Sequence, residues 1–374
     1  MSEIDVKKKI IIVSRSFFPQ ISPRSFRTTE LVKEFSRLGH SVTLYTSKNN
    51  SSHIEFEKEY GVTIVDIGKP MFKEVNMNVN NKFLLLYKKL LRRGLLWLAE
   101  YPDIGLMFQM KSALKNVSGY DLLISIAAPH PVHWGTAWAW NKNKKIASTW
   151  IADCGDPYMG VPYEKYKKPF YFKWLEKSFC KNADYVAITN INMKQNYYSE
   201  FHNKIIEIPQ GFQFDNINTN AIPDEKGVIK FAFAGTLMKD VRDPQKFLNY
   251  LTKINIPFKF KIYTKQTHLV EPYLKVLKDK IEISDYIPRD KLIAELSKMD
   301  FLVNFEYDPF TQSPSKLIDY YLTGRPILSL ESKNFDEKLI DEFLKRDYSR
   351  KFELIDIQKY NIKNVAQKFL EHIK

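Results

Sequence analysis

KIIIVSRSFFPQISPRSFRTTELVKEFSRLGHSVTLYTS, residues 9–47, decides the fold. KIIIVS (9–14) is a short apolar run followed by a turn-rich stretch, FFPQISPRS. Leu31, Val32, Phe35 and Leu38 then fall on one face of a helix, and Gly39 ends it. SVTLYTS supplies a second strand. Strand, loop, helix, strand is the repeating unit of a parallel α/β sheet. The rhythm continues through VTIVDIG (62–68), a long helical region from 80 to 116, YDLLISIAAP (120–129), a helix through Thr136–Asn141 and IASTWIAD (146–153). DYVAIT (184–189) and residues 205–208 close this layer.

A second series follows. VIKFAFAGT (228–236), FKFKIYT (258–264), KIEISDYI (280–287), MDFLVNFE (299–306) and PILSL (326–330) read as strands, with helices near 244–253, 270–278, 290–298 and 315–323. Between the two series FQFDNINTNAIPDEKG (212–227) is polar, Asn-rich and without periodicity. A chain of 374 residues exceeds what one hydrophobic core usually fills. The expectation is two Rossmann-like, doubly wound α/β domains facing each other across a cleft: 1–210, 211–358, and a final amphipathic helix in 359–374 that packs back on the first domain.

Lys+Arg number 57 against 43 Asp+Glu, a net charge of +14, while 44% hydrophobic and 14% aromatic residues exclude a disordered polycation. Up to position 210 there are 30 basic against 19 acidic residues, and beyond it 27 against 24. The first half therefore carries nearly all the excess, and all six tryptophans (Trp97, Trp134, Trp138, Trp140, Trp150 and Trp174). Cys154 and Cys180 form neither a disulfide framework nor a zinc pattern, which fits a reducing compartment. No run approaches the ~18 apolar residues of a membrane span, and the apolar stretch Ile10–Val13 is too short for a signal peptide. The expected location is cytoplasmic, peripheral on the inner face of the cell membrane.

Doubly wound sheets bind ligands at the carboxyl ends of their strands. G-x-G-x-x-G and the P-loop pattern are both missing, so phosphate would be held by side chains and helix N-termini. SPSKLIDYYLTGRP (313–326) is the richest stretch. Ser313 or Ser315 suits a helix cap, Pro314 its first turn, and Lys316 a diphosphate held jointly with amides. Asp319, one turn on, suits a ribose. An ordinary capped surface helix with an i,i+3 ion pair would show the same residues.

His130 and His133 in AAPHPVHWG stand at a strand-to-helix junction, either at a site or satisfied in the core. Asp153 and Asp156 follow the next strand, where they could orient an acceptor hydroxyl or cap a turn. Glu306 ends another strand. In NKFLLLYKKLLRRGLLWLAEY (81–101), Phe83, Leu86, Leu90 and Trp97 share a helix face, flanked by Lys82, Lys88, Lys89, Arg92 and Arg93. That pattern suits an anionic membrane surface, or a helix packed on the sheet with solvated charges.

Residues 313–326 resemble the donor-site segment of GT-B glycosyltransferases, particularly family 4, in which Pro-x-Lys-x-x-Glu-Tyr precedes Gly-Lys/Arg-Pro. Asp319 stands where that family has its ribose-binding glutamate. IIIVSRSFFPQISPR, LGHSVTLYTS, IPQGF (208–212), FAFAGTLMKDVRDP and YIPRDKLIAELSKMDFLVNF (286–305) resemble further segments of the family in the same order. The departures are Thr311, in place of the first glutamate of Glu-x7-Glu; Thr236, in place of the first basic residue after Ala-Gly235; and Ile21-Ser22-Pro23, in place of the amino-terminal Gly-Gly, a loop that could approach the donor differently, through Arg24 or Arg27.

The resemblance implies a retaining transferase that moves a sugar from a nucleoside-diphosphate donor to a glycan or lipid-linked acceptor, as in bacterial lipopolysaccharide or capsule assembly. Arg242 and Lys316 would clamp the diphosphate, with Gly235, Thr236, Ser313, Pro314, Ser315 and Asp319 around the donor. His130 or His133 would lie near the reacting carbon, and Arg24, Arg27, Asp153 and Asp156 on the acceptor side. No metal or other cofactor is expected. A nucleotide-sugar epimerase and a catalytically dead binding subunit fit the same segments. A basic nucleic-acid-binding protein would need a binding module that the sequence lacks, so no nucleic-acid partner is expected.

Overall fold

Ile10, Ile11, Ile12 and Val13 have no exposed surface in β1 (Lys9–Ser14), as expected of a parallel strand covered on both faces. The computed structural model describes residues 6–48, 50–143, 145–161, 167–215, 227–306, 315–331, 335–353 and 356–374. After β1 come α1 (Pro23–Arg37), β2 (Ser41–Thr46), α2 (Asn50–Tyr60), β3 (Thr63–Asp66), α3 (Lys82–Ala99), α4 (Gly105–Ala113) and β4 (Tyr120–Ile126). They are followed by α5 (Pro131–Lys142), β5 (Ala147–Cys154), α6 (Phe172–Asn182), β6 (Tyr185–Ile188) and β7 (Ile205–Glu207). The seven strands are parallel, in the order β3-β2-β1-β4-β5-β6-β7.

The second series comprises β8 (Ile229–Ala234), α7 (Gln245–Leu251), β9 (Phe258–Tyr263), α8 (Glu271–Leu277) and β10 (Ile281–Ser284). It continues with α9 (Arg289–Leu296), β11 (Phe301–Phe305), α10 (Ser315–Leu322), β12 (Ile327–Leu330) and α11 (Glu337–Leu344). Its parallel sheet runs β10-β9-β8-β11-β12 around stacked rings of Phe231, Phe260 and Phe301. The chain divides into two compact units, residues 1–213 with 359–374, and residues 214–358. α12 (Ile362–Leu370) belongs to the first unit. It buries Ile362, Val365, Ala366 and Phe369, the last ring against Phe35 of α1.

Several elements differ from the sequence reading, which contains neither α2 nor α11. The helical region from 80 to 116 is broken between α3 and α4: Glu100 turns left-handed at φ 49° and Pro102 lacks the amide a continuing helix needs. α5 begins at Pro131 and not near Thr136. Pro131 through Ala137 are all buried, so no polar face marks the start. α6 hides its period because Glu176 lies on its buried face, where the carboxylate accepts from the amides of Tyr158 and Met159.

α3 also settles an open alternative. None of its residues is buried, so its apolar face does not pack on the sheet. Phe83 is 86% exposed, and Leu86, Leu90 and Trp97 are exposed beside it. Trp97 Nε1 donates to the Lys167 carbonyl at 3.1 Å, and Lys168 pairs with Glu100 at 2.9 Å. The helix is thus anchored at its carboxyl end while its apolar stripe stays uncovered.

Candidate functional site

In a doubly wound sheet the helices after adjacent strands leave on opposite faces at one place, and the gap at the carboxyl ends there receives ligands. In the second sheet that place lies between β8 and β11. Gly235 follows β8 at φ +142°, a conformation side chains rarely adopt, and a Cβ there would lie 3.3 Å from Lys316 Cδ. Lys316 enters from the first turn of α10. Its ammonium is closed off from solvent and has no hydrogen-bond partner among the described residues, lying over the rings of Phe233 and Tyr320 at 4.6 and 5.5 Å. Burial, helped by the Arg242 charge, pushes its pKa down to about 7. Tyr320 fixes α10 against β8, its hydroxyl accepting from the Ala234 amide at 2.7 Å.

Asp319 is not open as the sequence suggested. Arg289 Nε donates to it at 2.8 Å and Nη2 lies 2.6 Å away. Burial raises the carboxyl pKa, and Arg289 opposes that shift. The pairing spans 30 positions and no local pattern announces it. Thr236 is exposed, its hydroxyl 3.4 Å from that of Tyr286. The Arg242 amide closes a turn onto the Met238 carbonyl at 2.9 Å. Thr311, Ser313 and Pro314 lie outside the described residues, as does the Ser315 side chain at the start of α10. At the same edge a hollow of about 350 Å³ is lined by Asp240, Asp243, Lys246, Phe305 and Glu331 among others.

In the first sheet the corresponding gap lies between β1 and β4. His130 is the residue before α5 and is half-buried. Its Nε2 is 3.2 Å from the Asp156 carbonyl, which can only accept, so Nε2 carries the proton and Nδ1 the lone pair. Burial, with Lys168 and Arg24 nearby, lowers its pKa to about 3 and keeps the ring neutral. His133, one turn inside α5, is wholly enclosed. Ser125 Oγ lies 2.8 Å from its Nδ1 and Cys154 Sγ 3.3 Å from its Nε2. His133 is therefore a core histidine out of reach of a ligand, which corrects its assignment to the chemistry. Cys154, whose pKa burial raises, is likewise structural.

Arg27 and Asp153 are also corrected as acceptor-side groups. Both are fully buried, and they form a two-pronged pair, Nε to Oδ2 and Nη2 to Oδ1, each at 2.9 Å. Arg27 further donates to the Ile208 and Pro209 carbonyls. Its donors are spent inside the fold. Asp156, by contrast, is exposed, and Arg24 lies beside Gly155 at the same edge. Lys82, Lys89, Arg92 and Arg93 are exposed on α3 and Lys88 is partly so. No group of three or more His, Cys, Asp or Glu among the described residues is placed to hold a metal, and none of their helices is long and apolar enough to cross a membrane.

No sequence-family model matches the chain, and no curated protein matches it by sequence. Solved structures do match. A glycosyltransferase of Rickettsia africae is 12% identical with a TM-score of 0.57, the match covering 99% of this chain and 95% of that one. HepE of Anabaena, solved in complex with UDP, is 9% identical with a TM-score of 0.58, over 97% and 98% of the two chains. The lipopolysaccharide outer core galactosyltransferase WaaB is 13% identical with a TM-score of 0.53, over 96% and 95%. The fold is GT-B. Identities this low tie the chain to GT-B architecture and leave chemistry to the residues themselves. Within that architecture the second unit offers an enclosed, uncompensated ammonium suited to phosphate. The first offers a neutral imidazole with a free lone pair, suited to a hydroxyl.

Proposed function

We propose that this chain is a retaining glycosyltransferase, moving a sugar from a nucleoside-diphosphate donor held by the second unit to a glycan or lipid-linked acceptor held by the first. The Lys316 ammonium carries the reading: it is enclosed at the switch point of the second sheet with no counter-ion bonded to it among the described residues. A buried cation without a partner costs stability, and a diphosphate supplies the missing charge. The GT-B fold supports the same use, since one structure with that fold, HepE, was solved with UDP.

The resemblance to glycosyltransferase family 4 implies retention of configuration. Arg242 and Lys316 would then stabilise the departing diphosphate while the acceptor attacks an oxocarbenium-like carbon from the same face. The two cations do the work a metal ion does elsewhere, so activity is expected to survive EDTA. A strict requirement for a divalent ion would overturn this part. Calorimetric titration with UDP, GDP, dTDP and ADP tests the donor site: one of the four is expected to bind, and failure of all four would remove the reading.

The acceptor side belongs at the inner face of an anionic membrane, consistent with assembly of lipopolysaccharide or capsule. Support comes from α3, with its uncovered Phe83, Leu86, Leu90 and Trp97, and from Phe170 and Trp174, exposed and packed edge to face at 5.7 Å. At about 1 kcal/mol per basic residue near such a surface, Lys82, Lys88, Lys89, Arg92 and Arg93 supply up to ~5 kcal/mol, enough for reversible attachment. The wild-type chain is expected to float with anionic liposomes, and the Lys88, Lys89, Arg92, Arg93→Gln variant to stay below. Wild-type protein that does not float would sink the membrane reading.

A further inference from the structure

The switch point of the first sheet holds a cation that the proposed diphosphate clamp of Arg242 and Lys316 leaves unassigned. Arg24 lies in the first turn of α1, directly after β1, with His130 following β4 and Gly155 following β5. Its Nη1 is shut off from solvent without a hydrogen-bond partner among the described residues. Among the described residues, the buried carboxylates that share its surroundings at Cys154 are committed elsewhere. Asp153 is held by Arg27, and Glu176 by the amides of Tyr158 and Met159. Asp156 is exposed, and among the described residues no ion pair joins it to Arg24.

Arg24 occupies space cleared for it. A Cβ at Gly155 would lie 1.8 Å from Nη2, so a larger residue there would displace the guanidinium. Its charge reaches His130, whose Nε2 proton is fixed on the Asp156 carbonyl and whose Nδ1 is left to accept. A planar guanidinium takes both oxygens of a phosphate or carboxylate at once, whereas a neutral sugar offers nothing to balance it.

We propose that Arg24 binds a phosphate or carboxylate group carried by the acceptor, so that the acceptor is a sugar phosphate or an acidic sugar and not a neutral glycan. The sugar-transfer reading enters only in calling this ligand the acceptor. The anion relieves an enclosed, unpaired donor, and the hydroxyl to be glycosylated lies toward His130 Nδ1.

The test uses the full chain with labelled histidine, in UDP at saturation so that the cations of the second unit are occupied. Methyl phosphate and acetate are added separately while the His130 ring resonances are followed. One of the two anions is expected to shift them, and Arg24→Gln and Gly155→Ala each to weaken that titration by at least about tenfold, with circular dichroism unchanged. The anion that acts tells a phosphate-bearing from a carboxylate-bearing acceptor. The proposal is overturned if neither anion moves His130, or if Arg24→Gln titrates like wild type. It is also overturned if Arg24→Gln weakens UDP binding instead, which would give the arginine to the donor. A chain that binds none of UDP, GDP, dTDP and ADP yet titrates with methyl phosphate through Arg24 would remove the donor reading and keep this one.

Discussion

Lys316→Met is expected to weaken nucleoside-diphosphate binding by about 30-fold or more, and turnover with it, while raising the melting temperature of the chain. The two effects have one cause. The ammonium is enclosed over Phe233 and Tyr320 with no partner, and burial together with Arg242 holds its pKa down to about 7. An unsatisfied buried donor costs about 1–3 kcal/mol, more when charged, and methionine removes that cost while keeping the volume. Calorimetry for binding and thermal melting for stability read the two arms separately. Wild-type affinity in the variant would end the donor assignment; a lower melting temperature would show that the lysine is paired in solution.

The same lysine sets a pH dependence. In the unfolded chain it titrates near its ordinary value of 10.5, and in the folded chain near 7. Between these values the unfolded state holds more protons, so this group makes folding stability rise with pH across the interval. Binding of a diphosphate runs the other way. It favours the charged form and raises the pKa of the bound state, so affinity is full below about pH 7 and declines as pH rises towards the bound-state value. Proton uptake on UDP binding at pH 7.5, seen as a buffer-dependent enthalpy, checks the sign, and it should vanish in Lys316→Met.

Arg27→Met is the largest stability change expected, a loss of about 3–5 kcal/mol, because it leaves the enclosed Asp153 carboxylate without its partner. Arg27 joins α1 to the end of β5, to the carbonyls at 208–209 and, over the Phe369 ring at 5.3 Å, to α12. At roughly 2–4 °C per kcal/mol for a unit of this size, melting should fall by about 10 °C. Replacing both partners, Arg27→Met with Asp153→Leu, should recover most of the loss, since no unpaired charge remains. A single variant as stable as wild type would show that the pair holds nothing together.

Repetition of apolar run, turn and amphipathic helix made the two parallel sheets legible, because each strand of such a sheet needs a crossover helix and each helix one apolar stripe. Where helices lacked that stripe, the sequence misled. α5 is buried nearly all round and α6 carries Glu176 on its inner face, so neither start could be read. α3 has the clearest stripe and buries none of it, which the pattern alone could not distinguish from a core helix.

The candidate site divides in the same way. His130 and His133, three positions apart, look equivalent along the chain. The start of α5 at Pro131 leaves the first at the sheet edge and turns the second into the core beside Ser125 and Cys154. Arg24 and Arg27 share one helix turn, yet one is unpaired and the other meets a carboxylate 126 positions away.

Period and composition were enough for the α/β class, two successive sheets and the excess of positive charge in the first half, since each is a property of the chain read in order. The tertiary structure alone decided which charges are already spent. Asp319 on Arg289 and Arg27 on Asp153 are pairings between elements distant in sequence, and only packing creates them. Lys316 and Arg24 become candidate ligands for anions for the converse reason: folding encloses Lys316 Nζ and Arg24 Nη1, and among the described residues no carboxylate is bonded to either.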